Sequence, residues 1–270
     1  MTNLRATSPS TTNPSTTNLS AARPPSKAPA KANDNFNGHA VYNTILLDLP
    51  DQQREVVYTK LDFVPLPTHT VLNEMAEPIK FVYFVNSGLA SILNVMSDGK
   101  SVEVGLSGKE GFVGLPLIVG FATSPTQAVM QIEGSGFKMS ARDFMSILPA
   151  CPQLEKSLNR YSQELALQTT QIAACNRLHE LEERLARWLL MSQDRVDSPV
   201  FSLTQEFLAH MLGTRRASVT VAAGILQKAG LITYKRGQVK IEDRAGLESA
   251  ACECYRQLNQ QMKNWHDGAG

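Results

Sequence analysis

Arg216, Ala217, Thr220 and Val221 follow one another at steps of one, three and one residues, which sets all four on one side of a helix of 3.6 residues per turn. A guanidinium flanked by methyl groups on an outward helical face has a well-suited chemistry. Its planar fork donates two hydrogen bonds to guanine O6 and N7, while the methyls of Ala217 and Val221 fit against thymine methyl groups. Further along, Lys235 and Arg236 add adjacent cations of the kind that phosphate neutralisation requires.

The elements that must hold these side chains are written around them. Thr204 is a helix N-cap, followed by Gln205 and Glu206 in the first turn, where the helix dipole favours negative charge. Leu208, Met211 and Leu212 form one apolar face, Ala209 is small enough for a close crossing, and Gly213 supplies the φ > 0 turn. A second helix is expected from about Thr214. Its Val219, Ala222, Ala223 and Leu226 recur at i, i+3, i+4 and i+7, so they face inward and leave Arg216, Ala217, Thr220, Val221 and Gly224 outward. Two such helices alone fit an ordinary helical hairpin with solvated arginines equally well; the flanks break the tie. Residues 233–241 form two strand-like runs around Arg236-Gly237, a small hairpin or wing. Residues 201–244 carry seven cations against Glu206, Glu242 and Asp243, a surplus of four in a chain of net charge +1.

The stretch 203–247, ending Val239-Lys240-Ile241-Glu242-Asp243-Arg244-Ala245-Gly246-Leu247, resembles the winged helix-turn-helix of the bacterial Crp/Fnr transcription regulators. The resemblance implies that Arg216 reads a base and that Thr204, Arg215 and Ser218 lie near phosphates. It also implies double-stranded DNA with a palindromic operator, a second copy of the chain and RNA polymerase as partners. Ala217 and Val221 stand where well-known members carry Glu and a second Arg, so their operator is not transferable.

Between about Thr59 and Met139, short β-type runs (81–85, 89–96, 102–106) alternate with turn signals at Asn86-Ser87-Gly88, Asp98-Gly99 and Gly108. This region resembles the same family's β-roll sensor domain, notably at Phe81-Val82-Tyr83-Phe84-Val85-Asn86-Ser87-Gly88 and Gly111-Phe112-Val113-Gly114. In cyclic-nucleotide-binding members a Gly-Glu pair and a later Arg-Ser pair hold ribose and phosphate. The matching positions here, Gly114-Leu115 and the neighbourhood of Thr126 and Gln127, include no cation across Ala122-Thr123-Ser124-Pro125-Thr126-Gln127-Ala128. Cyclic AMP is therefore not expected, and the glycines at 105, 108, 111, 114 and 120 read as turns rather than a phosphate cradle.

Cys151, Cys175, Cys252 and Cys254 form no closely spaced ligand pairs of the structural-zinc kind. Cys252 and Cys254 fall in a helical pattern, where an i, i+2 pair points to different sides. No metal and no cofactor is expected. The iron–sulfur cluster that some family members hold through N-terminal cysteines has no counterpart before residue 151. His69, Glu74, Glu103 and Glu110 are scattered and read as solvated surface; no catalytic set emerges, so an enzyme is not expected.

Leu154, Leu158, Tyr161, Leu165, Gln168, Ile172, Cys175 and His179 recur with the 3.5-residue repeat of a two-helix seam, read as a dimerisation helix; the other reading is a stripe packed on the chain's own β-roll. A phase break near His179 and Glu180 marks a hinge, after which Leu181, Leu185, Trp188 and Leu189 begin a new face. With 270 residues and 43% hydrophobic content the chain can bury two cores, and no apolar run approaches a membrane span. The expected class is α+β: a Ser/Thr/Pro-rich disordered tail (1–38), an antiparallel β-roll (39–150), a long helix and hinge (151–180), a winged helix-turn-helix (181–250) and a C-terminal helical extension (251–270), in the cytoplasm. A competing function is a ligand- or redox-sensing module whose helix-turn-helix serves protein contacts.

Overall fold

A computed structural model of the chain describes residues 34–196 and 198–268. The expected disordered tail lies mostly outside them, but its boundary moves. Strands β1 (Asp34–Phe36) and β2 (His39–Val41) form an antiparallel hairpin through Asn37 and Gly38, both at positive φ (50° and 84°), as a two-residue Asn-Gly turn requires. Phe36 then packs edge-on against Tyr58 and Phe137, with centroids 5.1 and 5.7 Å away, so order begins before residue 38.

Two short helices, α1 (Thr44–Leu47) and α2 (Asp51–Tyr58), lead into β3 (Asp62–Leu66), β4 (Val71–Asn73), β5 (Phe81–Val95), β6 (Ser101–Ser107), β7 (Phe112–Val113) and β8 (Gln127–Ser140). The main sheet runs β3-β8-β5-β6, all antiparallel, with β4 on β8 and β7 on β5. Asn86-Ser87-Gly88 is not the expected turn: β5 passes through it as a single strand of 15 residues with register shifts between Val85 and Ala90. The irregularity has a tertiary cause. Asn86 accepts from the Tyr42 N–H at 2.7 Å and donates to the Ala40 carbonyl, and a Cβ on the facing Gly134 would sit 2.1 Å from the Ser87 oxygen.

After α3 (Ala141–Ile147) the chain runs into α4 (Pro152–Leu178), breaks at His179 in an extended conformation, and resumes as α5 (Leu181–Val196). The helix break falls where the phase of the apolar pattern changes. The seam reading needs correction, however. Leu154, Leu158 and Tyr161 are buried in one core with Phe84, Phe112, Phe137 and Phe144. Tyr161 donates to Ser107 Oγ at 2.9 Å, the Gln168 amide pairs with both the N–H and carbonyl of Leu106, and Leu165 covers Gly105. Ile172 and Cys175 are also buried within the chain. The 3.5-residue stripe is therefore covered within the chain, by the β-roll from Leu154 to Gln168 and by Cys252 and Cys254 at Cys175; periodicity identifies an apolar face without identifying what covers it.

The remaining elements are β9 (Val200–Ser202), α6 (Gln205–Met211), α7 (Arg216–Lys228), β10 (Ile232–Lys235), β11 (Gln238–Ile241), α8 (Arg244–Ala250) and α9 (Cys254–Asp267), with a small sheet in the order β10-β11-β9. Trp188, Leu189, Leu208, Val219 and Leu247 share one core with Leu89, Leu93 and Leu106 of the β-roll. Two polar links cross that contact: Trp188 Nε1 donates to Glu103 at 2.8 Å, and Arg195 Nε donates to Glu110 at 2.7 Å.

Candidate nucleic-acid interface

The helix pair forms for reasons written in its caps. Thr204 Oγ1 accepts from the Phe207 N–H at 3.1 Å and fixes the start of α6, which leaves the Thr204 hydroxyl proton available to an outside acceptor. Gly213 takes φ +59° between the helices. Helix α7 begins at Arg216, two residues later than expected, because Arg215 is extended. Val219, Ala222, Ala223 and Leu226 are all buried, and Arg216, Ala217, Thr220 and Val221 are all exposed, Val221 by 64%. The Thr220 hydroxyl donates to Gln205 Oε1 at 2.8 Å, tying the helices together, and Ser218 is half-buried.

The wing turns at Arg236-Gly237, both at positive φ (52° and 75°), with Lys235 opposite Gln238. Tyr234 donates to the Leu203 carbonyl at 2.8 Å and fastens the wing to the entrance of α6. Its third strand, β9, went unread in the sequence because three residues of β-pattern carry too little signal. Arg215, Arg216, Lys235 and Arg236 are exposed and make no ion pair among the described residues. Arg244 and Lys240 are otherwise engaged: Lys240 meets Glu242 at 2.6 Å, and Arg244 binds Gln193, Asp194, Tyr255 and Glu248. Apart from Lys228 at the far end of α7, the exposed cations of this region without an ion pair among the described residues thus lie at the N-terminus of α7 and the tip of the wing.

On the β-roll, Gly114 (φ +123°) opens a short 3-10 helix over Leu115–Val119, where a Cβ would press to 2.7 Å from Val82. Leu115 is half-buried. Thr126 closes a tight turn with Ser124, and Gln127 donates to Glu74 at 2.8 Å. Among the described residues no hydrogen bond joins the Gly114 and Leu115 pair to Thr126 and Gln127. Val113, next to Gly114, packs with Leu66, Leu72, Ala90, Ala128 and Met130 in an apolar cluster.

Three readings of polar side chains change. Glu103 is buried rather than solvated, accepts from Ser91 at 2.6 Å as well as from Trp188, and burial pushes its carboxyl up to about 7. Glu110 pairs with the part-buried Arg195. Cys252 and Cys254 are not on one helix. Cys252 precedes α9 and Cys254 is its first residue, so both thiols turn toward Cys175 and His179 at the end of α4. This proximity is tertiary, between positions 75 or more residues apart, and spacing along the chain could not reveal it.

The architecture defines a class: a β-roll joined through a long helix to a winged helix-turn-helix. Family models match in the same places, a cyclic nucleotide-binding domain over residues 63–150 and a Crp-like helix-turn-helix domain over residues 183–250. The chain belongs to the Crp/Fnr family. Solved structures agree on the fold. FixK2 from Bradyrhizobium japonicum matches with TM-score 0.61 at 16% identity, over 71% of this chain and 98% of its own. The c-di-GMP responsive regulator CLP of Xanthomonas campestris matches with TM-score 0.60 at 19% identity, over 72% of this chain and 100% of its own. A CRP-family transcriptional regulator from Thermus thermophilus matches with TM-score 0.57 at 20% identity, over 70% of this chain and 96% of its own. No curated protein matches the chain in sequence. These matches name regulators and no catalytic family, and among the described residues no helix is long and apolar enough to cross a membrane.

Proposed function

We propose that the chain is a dimeric, sequence-specific DNA-binding transcription regulator of the cytoplasm whose β-roll does not take cyclic AMP. The observation that carries this reading is the outward face of α7: Arg216 without an ion-pair partner among the described residues, beside exposed methyls, with the wing tip adding Lys235 and Arg236. Arg216, Ala217, Thr220 and Val221 face base edges; Thr204, Arg215, Ser218, Lys235 and Arg236 face phosphates. Promoter control adds RNA polymerase as a partner.

Pairing of two copies is assigned to the outer side of α4. Gln163, Ala166, Thr170, Ala173 and Arg177 alternate in steps of three and four, and Leu178 beside them is 73% exposed. Small residues there let two helices approach closely. A dimer presents two recognition helices to half-sites about 34 Å apart along the duplex. On the β-roll, the absence of a cation between 122 and 128 removes the group that a cyclic phosphate needs, which supports a degenerate sensor.

The test is a salt-titrated gel shift on a site selected from random duplexes. Arg216→Ala is expected to lose roughly 1–3 kcal/mol of discrimination at one base position. Lys235→Ala weakens all sequences alike and reduces the salt slope by about 1. Absence of any salt-dependent DNA binding would sink the proposal in favour of a helix-turn-helix that serves protein contacts.

A further inference from the structure

Three of the four cysteines gather at one point. Cys175 lies in the last turn of α4 and His179 one turn later, so both project from the same side, and Cys252 and Cys254 reach across from the connection between α8 and α9. Each of the four residues offers one ligand atom, and these four atoms all lie within 4.8 Å of one another. Cys175 Sγ is 3.4 Å from Cys252 Sγ, and Cys254 Sγ is 3.4 Å from His179 Nδ1.

Tetrahedral bonds of about 2.3 Å to sulfur and 2.0–2.1 Å to nitrogen imply ligand-to-ligand edges of about 3.5–3.8 Å. Four atoms already this close need only small side-chain rotations to reach that shape. They leave no space for the inorganic sulfides of an iron–sulfur cluster, and thiolate with imidazole is too soft a set for magnesium or calcium. The histidine is oriented as a ligand is. Its Nδ1 faces the thiols while Nε2 lies 3.0 Å from Glu253 Oε2, so the carboxylate fixes the tautomer that leaves the Nδ1 lone pair free for a cation.

The surroundings supply the opposite charge. A zinc ion held by three thiolates and a neutral imidazole carries one net negative charge. Arg187, 3% exposed, stands near enough to act on Cys175, and its Nε has no hydrogen-bond partner among the described residues. Arg184 is part-buried with its Nε also unpartnered, and it feels the charges of Cys175 and Cys252. Without an ion, three buried thiols make only weak hydrogen bonds beside the buried Arg187 and the part-buried Arg184, neither of which makes an ion pair among the described residues.

We propose that Cys175, His179, Cys252 and Cys254 form a structural site for a single zinc ion that staples the α8–α9 connection to the end of α4, beside the hinge. Each thiol loses its proton to solvent as the ion binds, with no change of oxidation state.

The test uses the full chain, reduced and stripped of metal, titrated with cobalt(II) and then zinc(II). Saturation is expected at one equivalent, with the intense visible bands of tetrahedral cobalt–thiolate, and zinc then bleaches them. Zinc should also raise Tm by about 5–10 °C once far above its dissociation constant. Glu253→Gln, a surface change that leaves all ligands in place, should weaken zinc about 10- to 100-fold. Cys151→Ser should leave the stoichiometry unchanged. Folded, fully reduced protein with no thiolate band overturns the proposal, as does a band that survives Cys252→Ser with Cys254→Ser. Recovery of a Cys175–Cys252 disulfide, two hydrogens lighter, in protein isolated without added oxidant also overturns it. None of these readouts depends on DNA binding, so the site and the regulator reading stand or fall separately.

Discussion

Burial decides the behaviour of Glu103, a residue whose sequence neighbours resemble those of any surface strand. It accepts from Ser91 and Trp188 at the contact between the β-roll and α5, and burial raises its carboxyl to about 7. Its ordinary value in the unfolded chain is near 4.5. A carboxyl raised on folding contributes stability that is complete below the unfolded value and is lost as pH climbs through the folded one. Wild-type stability should therefore fall between about pH 4.5 and pH 7 relative to Glu103→Gln, whose amide oxygen can still accept from Trp188 while its NH2 donates to Ser91 Oγ in a reversed bond. The gap at pH 8 is expected to approach at most about 3 kcal/mol, the bound set by a shift of this size. Urea unfolding of both proteins at pH 5, 6, 7 and 8 measures it, and parallel profiles would refute it. Residues whose role is local were legible in the sequence: Thr204 as a cap and Gly213 as a turn need only their neighbours. Glu103, Arg195 and the cysteine cluster were not, because their partners lie 75 or more positions away.

Elements were legible where their period and their punctuation agreed. Helix α7 carries its inward residues at helical spacing between a glycine turn and a two-residue wing turn, and each signal fixes the others. Strand β5 misled because Asn86-Ser87-Gly88 is turn-like in composition, yet tertiary hydrogen bonds to residues 40–43 hold it in a bent strand. The glycine between α6 and α7 gives a test at this scale. Gly213 has φ +59°, and a Cβ there would lie 3.3 Å from Val102 Cγ2 on β6. Gly213→Ala should cost about 1–2 kcal/mol through the left-handed backbone alone, with crowding against Val102 added. Thr204→Ala removes a cap and should cost about 1 kcal/mol. Denaturant midpoints with unchanged m-values are the measurement; a Gly213→Ala protein as stable as wild type contradicts the turn.

At the scale of the whole molecule, two faces of α4 make opposite predictions. The inner stripe is buried within the chain, mostly on the β-roll, so truncating it should damage the fold of each chain. Leu158, fully buried with Leu154 and Phe112, is expected to lose roughly 2–4 kcal/mol of stability as Leu158→Ala, with its oligomeric state kept. The outer stripe is exposed and rich in alanine, so a charge there has little to disturb within one chain. Ala173→Glu should leave the circular dichroism and Tm close to wild type while placing two carboxylates face to face across a two-fold axis. Sedimentation at micromolar concentration is expected to show dimers for wild type and Leu158→Ala and monomers for Ala173→Glu. The monomer retains one intact α7 and should bind a half-site with the same base preference, but it loses the affinity that a palindrome adds through a second, linked reader. A dimeric Ala173→Glu protein with full affinity for the palindrome would remove the outer face of α4 from the interface and require the pairing surface to lie elsewhere on the chain.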